Sequence, residues 1–148
     1  MGNRELWKIL RREGTGNRIM NHWNLKERTG RFALDMIKLV ESLPDDPTSK
    51  ILGRQLLRTG TSVGANCRAA CRGGSAADFI SKMGLVETEA AESCYWIELF
   101  LAAGKLQRSN ASALLKEADE LTAIAVASIN TARTSAGRRT RMKPQGLG

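Results

Sequence analysis

The 148 residues, 42% hydrophobic and 26% charged, suit one soluble domain with its own core. Aromatics make up only 5%, which argues against an aromatic-rich sandwich or barrel, and no window holds the roughly 18 uninterrupted apolar residues of a membrane span. The net charge of +8 belongs to the ends: residues 1–22 carry five basic and two acidic side chains, residues 133–148 five basic and none acidic, while 23–132 balance at thirteen of each.

In chain order, residues 1–22 form a basic N-terminal extension, in which a short amphipathic piece (Leu6, Trp7, Ile9, Leu10) precedes a Gly-Thr-Gly-Asn break. A first helix is expected from about Leu25 to Leu43, with Phe32, Met36, Leu39 and Leu43 at spacings of three and four. Pro44 and Pro47 end it, and Thr48 or Ser49 serves as the next N-cap. The second helix runs from about Ser49 to Arg72 on a seam of Leu52, Leu56, Thr59, Val63, Asn66 and Ala70, and Gly73-Gly74 stops it. Gly60 and Gly64 lie inside that helix, where each costs about 1 kcal/mol relative to alanine; two such costs imply close approach of another backbone.

Ser75 opens the third helix with a capping box completed by Asp78. Its seam is Phe79, Met83, Val86, Ala90, Ser93, Ile97 and Phe100, and it fades at Gly104. The fourth runs from Ser109 or Asn110 to Ala132, with Leu114, Leu115, Ala118, Leu121, Ala125 and Ile129 inward. From Arg133 the chain is rich in Arg, Lys and Gly with few apolar residues, so a disordered tail is expected over 133–148. The fold class is therefore all-α: an antiparallel up-down four-helix bundle over 23–132, flanked by flexible basic extensions.

One constellation suggests chemistry. Arg54, Arg58, Arg68 and Arg72 fall within about 40° either side of one line along the second helix, with the small Thr61 and Ala65 between them. A guanidinium row of this kind grips phosphate oxygens in pairs. It equally suits pairing with Glu87, Glu89, Glu92 and Glu98 of the third helix, and the sequence leaves both readings open. The basic end, with Arg133, Arg138, Arg139, Arg141 and Lys143, adds salt-sensitive affinity for a polyanion without reading bases.

Asn66, on the seam, is expected to hydrogen-bond across the bundle to Ser93 or Tyr95 in a structural role. Cys67 and Cys71 stand one turn apart with Cys94 on the next helix; three thiols and a distant His22 make a poor zinc site, and small buried residues are the better reading. Their odd number argues against a disulfide framework, and the N-terminus lacks a signal peptide's apolar core, so a cytoplasmic location is expected. Tyr95 and Trp96 read as packing or inter-subunit anchors. No phosphate loop, GxSxG or HExxH motif occurs, and there is no second histidine, so neither catalysis nor a cofactor is expected.

The run RTGTSVGAN from Arg58, followed by DFISK from Asp78 and ESCYWIEL from Glu92, resembles the 23S ribosomal RNA intervening-sequence proteins. The resemblance covers roughly residues 25–130 and implies an up-down bundle that assembles into a homo-oligomeric ring, a pentamer being favoured. A related branch serves as the accessory protein of reverse transcriptases in diversity-generating retroelements and binds nucleic acid and the polymerase. No enzymatic activity is implied. The expected function is thus a self-associating bundle that binds nucleic acid, structured RNA above all. The alternative is a ring-shaped scaffold for a protein partner such as a reverse transcriptase.

Overall fold

The computed structural model describes residues 22–142, with side chains from Leu25 onward. Four helices follow one another: α1 (His22–Glu41), α2 (Pro47–Cys71), α3 (Ala76–Ala102) and α4 (Arg108–Met142). Connections of a few residues make consecutive helices antiparallel neighbours. α3 packs on both α2 and α4, α1 packs on α2, and the α1–α4 side closes the bundle with the least contact.

Local chemistry sets each boundary. Between α1 and α2 the N-cap is Asp46, ahead of the expected Thr48 or Ser49, and it accepts from Ser49 N–H at 2.9 Å. Pro47 therefore begins α2 instead of ending α1, because the first helical position needs no donor and suits proline's fixed φ. Gly73 and Gly74 close the α2–α3 connection with φ of 111° and 116°, values that L side chains avoid. The Ser75–Asp78 capping box forms as expected: the Ser75 hydroxyl accepts from Asp78 N–H and the Asp78 carboxylate from Ser75 N–H, each at 3.1 Å.

The third-helix seam is buried in full from Phe79 to Phe100. Around it lie Phe32 and Met36 of α1, Leu56 and Val63 of α2, and Leu121 and Ala125 of α4. On α2 the buried face is centred one step from the expected seam: Gly53, Leu56, Gly60, Val63, Gly64, Cys67 and Ala70 point inward, while Leu52 and Asn66 are only half-buried. The glycines explain the shift. A Cβ on Gly60 would lie 2.4 Å from Met36 Cγ, and one on Gly64 would lie 3.5 Å from the Thr29 carbonyl oxygen. Helix α1 of the same chain thus occupies the space a Gly60 side chain would take and stands in van der Waals contact with the Gly64 position.

Helix α4 corrects the expected end of the bundle at Ala132. It continues through Met142, so residues 133–142 are helical where a disordered tail was expected. The inward positions Leu121, Ala125, Ser128, Ala132 and Ser135 keep the three-four spacing past that point, carried by small residues of low hydropathy. Arginine is a good helix former, and Arg139 and Arg141 in the last turn complement the negative end of the helix dipole.

Candidate nucleic-acid interface

All four arginines of the α2 row are exposed, and the α2 core face (Leu56, Gly60, Val63, Cys67) lies on the opposite side of the helix. Their surroundings differ. Arg58 reaches across to α3, with Nη1 3.3 Å from Glu89 Oε1 and Nη2 3.4 Å from Glu92 Oε1. Two carboxylates neutralise it locally, although an exposed pair of this length adds no more than about 1 kcal/mol to stability. Arg54, Arg68 and Arg72 have no carboxylate within ion-pair distance among the described residues. The row therefore divides into a paired Arg58 and, beginning about 15 Å further along the helix, the pair Arg68 and Arg72.

The antiparallel order then sets what those two arginines meet. The C-terminus of α2, the N-terminus of α3 and the C-terminus of α4 share one end of the bundle. Lys82 of α3 is exposed there, and so are Arg133, Arg138, Arg139 and Arg141 of α4. At about 53 Å, α4 is some 12 Å longer than α3, so its last turns overhang this end. Beyond Ser135 the helix carries cations on several sides, and Met142 is 82% exposed. Helix α2 contains no acidic residue, and α4 contains none after Glu120. Asp78 is engaged by the Ser75 cap, whose hydrogen bonds hold its carboxyl below the usual range. Lys143 and the extension before residue 22 lie outside the described residues.

At the opposite end both lysines of the connections are paired, while Arg54 and Arg108 are exposed without an ion pair among the described residues. Lys50 Nζ is 2.6 Å from Asp45 Oδ1, and Lys105 Nζ is 2.8 Å from Asp46 Oδ2. Along the α1–α4 groove, Arg28 is held by Glu117, with Nη2 2.9 Å from Oε2, and by Glu120. That double pairing, absent from the sequence reading because 89 residues separate the partners, makes the groove self-neutralising.

Asn66 does not make the expected cross-bundle bond. Its Nδ2 donates to the Ser62 carbonyl of its own helix at 3.0 Å. A buried cross-helix polar contact comes two turns earlier, where the Ser93 hydroxyl lies 3.0 Å from that of Thr59 and 2.8 Å from the Glu89 carbonyl. Threonine at position 59 faces α3 directly, while Asn66 sits at the edge of the buried face. Cys67 is buried, but Cys71 and Cys94 are only partly so. Tyr95 is 54% exposed and meets Trp96 edge-on, with ring centroids 5.0 Å apart. No cluster of three or more His, Cys, Asp or Glu side chains suited to a metal occurs among the described residues. None of the described helices is long and apolar enough to cross a membrane.

Fold and charge layout together define a four-helix bundle with cations gathered at one end. The family described as 23S rRNA-intervening sequence protein matches residues 22–127, and the chain belongs to that family. A crystal structure of a protein of unknown function from the S23 ribosomal protein family of Bacteroides thetaiotaomicron is similar, with a TM-score of 0.69 and 30% identity. The match covers 75% of this chain and 99% of that one. No curated protein matches. The family match stops at residue 127, so the α4 overhang lies beyond it.

Proposed function

We propose that this protein is a non-catalytic, self-associating bundle that binds nucleic acid, structured RNA above all, through its cationic end. The observation that carries the reading is the convergence of Arg68 and Arg72 with Arg133, Arg139 and Arg141 at one end, where no carboxylate pairs with any of them among the described residues. Phosphates are suited to such a surface, because guanidinium forks bind their oxygens bidentately and release condensed counterions. Arg58 contributes little to it, being held by Glu89 and Glu92. Contacts of this kind position a duplex or folded RNA without reading its bases.

Assembly into a homo-oligomer, a pentamer by family resemblance, would place several cationic ends side by side and raise avidity. Light scattering should then return a mass near five times 16.2 kDa, and a clean monomer would overturn the ring. For binding, the test is a filter-binding titration on structured RNA at several salt concentrations. Replacing Arg68, Arg72, Arg139 and Arg141 with Gln should weaken binding at least tenfold and flatten the salt slope by about one per lost phosphate contact. Replacing Arg54 and Arg58 should do far less. If the two variants behave alike, the cationic end is not the interface.

A second reading, a scaffold for a protein partner such as a reverse transcriptase, draws on the exposed Leu85 and Tyr95 of α3. Large side chains of this type anchor protein interfaces. Copurification of such an enzyme, lost on Tyr95→Ser and retained in the arginine variant, would favour it.

A further inference from the structure

We propose that Cys67 and Cys71 form an oxidisable dithiol whose closure to a disulfide re-forms the last turn of α2, the turn that carries Arg68 and Arg72. One turn of helix puts the two Cα atoms about 6 Å apart, inside the range of roughly 4.4–6.8 Å that a disulfide spans. An intact turn keeps the two Cβ atoms wider than the bond allows, so closure needs a helix end that can open. Cys71 provides one. It is the final residue of α2, followed by the C-cap Arg72 and then by Gly73 and Gly74, whose positive φ angles give the chain room to rearrange. The last carbonyls of the helix have few partners to lose.

The two sulfurs also have complementary surroundings. The buried Cys67 thiol donates a hydrogen bond to Cys71, and the Lys26 ammonium lies nearby; both hold Cys71 below the usual thiol range. The same hydrogen bond and then burial push Cys67 up. Cys71 is only partly buried and so is open to a reagent, with the resolving Cys67 one turn away on the same helix. Cys94 provides the internal contrast, since burial first and then Asp119 and Glu98 push its thiol up.

With hydrogen peroxide as oxidant, the Cys71 thiolate attacks one peroxide oxygen; an S–O bond forms as the O–O bond breaks, and the leaving oxygen departs as water after protonation. The Cys67 sulfur then displaces hydroxide from the resulting sulfenic acid, and its proton completes a second water. Two thiols and one hydrogen peroxide give one disulfide and two waters, with two electrons passing from sulfur to oxygen.

Arg68 lies between the cysteines, which makes the outcome easy to read. Trypsin cuts the full chain into 59–68 and 69–72, peptides that stay joined only if the disulfide has formed. After hydrogen peroxide treatment the two should run as one species lighter by two hydrogens, and Cys71→Ser or Cys67→Ser should abolish it. In the reduced protein, iodoacetamide should modify Cys71 at least tenfold faster than Cys94. Separate peptides after oxidation, or equal alkylation rates, would overturn the proposal.

The effect on the arginines rests on the nucleic-acid reading above. Oxidation should weaken RNA binding at least threefold, and dithiothreitol should restore it. Joined peptides with unchanged affinity overturn the coupling to Arg68 and Arg72. Absence of RNA binding in both states overturns the nucleic-acid reading and leaves the dithiol standing.

Discussion

A single methyl group separates two classes of glycine in this chain. At Gly60 an added Cβ would sit 2.4 Å from Met36 Cγ, inside a core where Met36 is fully buried. Gly60→Ala should therefore destabilise the protein by about 1–3 kcal/mol, the usual effect of overpacking, despite alanine's better helix propensity. At Gly30 an added Cβ meets nothing within 4 Å, so Gly30→Ala should stabilise by about 1 kcal/mol. Opposite shifts in urea midpoint check both. Ser93→Ala tests the buried hydroxyl contact between α2 and α3; removing its hydroxyl leaves Thr59 without that neighbour and should cost about 1–2 kcal/mol. The sequence marked Gly60 and Gly64 as sites of close approach from propensity alone. It assigned the polar contact to Asn66 because a seam written in steps of three and four does not locate its centre. A rotation of one position moves an amide from the core to its edge.

Among the elements, α3 was the most legible. Its seven inward residues are large, regularly spaced and opened by a capping box, so hydropathy and local chemistry agree. Helix α4 was legible only as far as its large side chains go. Past Ile129 the inward positions are Ala132 and Ser135, whose burial has no hydropathic signature, and arginines obscured a helix that they in fact favour. Gly137 gives access to the overhang, since nothing lies within 4 Å of its would-be Cβ. Gly137→Pro should end α4 near Ala136, with a small loss of helical circular dichroism and little change in global stability. RNA affinity should fall severalfold if the arginines act as an ordered set. Equal affinity for Gly137→Pro and Gly137→Ala would show that their charge alone suffices.

At the scale of the molecule, ionic contacts tie together segments far apart in sequence. Asp46 both caps α2 and meets Lys105 of the α3–α4 connection, joining the two connections at the end opposite the cations. The Lys105 ammonium first, and then Ser49, hold its carboxyl well below the usual carboxylate range. A carboxyl depressed in the folded state contributes stability that is present above its ordinary value near 4 and is lost as pH falls through the lowered one. The melting temperature should drop through that acid window, and Lys105→Gln should flatten the drop. Such pairings, like Arg28 with Glu117 and Glu120, have no sequence signature because their partners are 59 and 89 or more residues apart. The gathering of cations at one end does follow from antiparallel order once helix lengths are known.

The gathering of cations at one end has a kinetic consequence. Residues 23–132 sum to zero and exert little net pull, yet the arginines of the α4 overhang concentrate the excess charge at one pole, which experiences a torque in the field of a polyanion. The bundle would turn before it touches, arriving overhang first. Added salt should then slow encounter much more than it shortens the lifetime of the complex once formed.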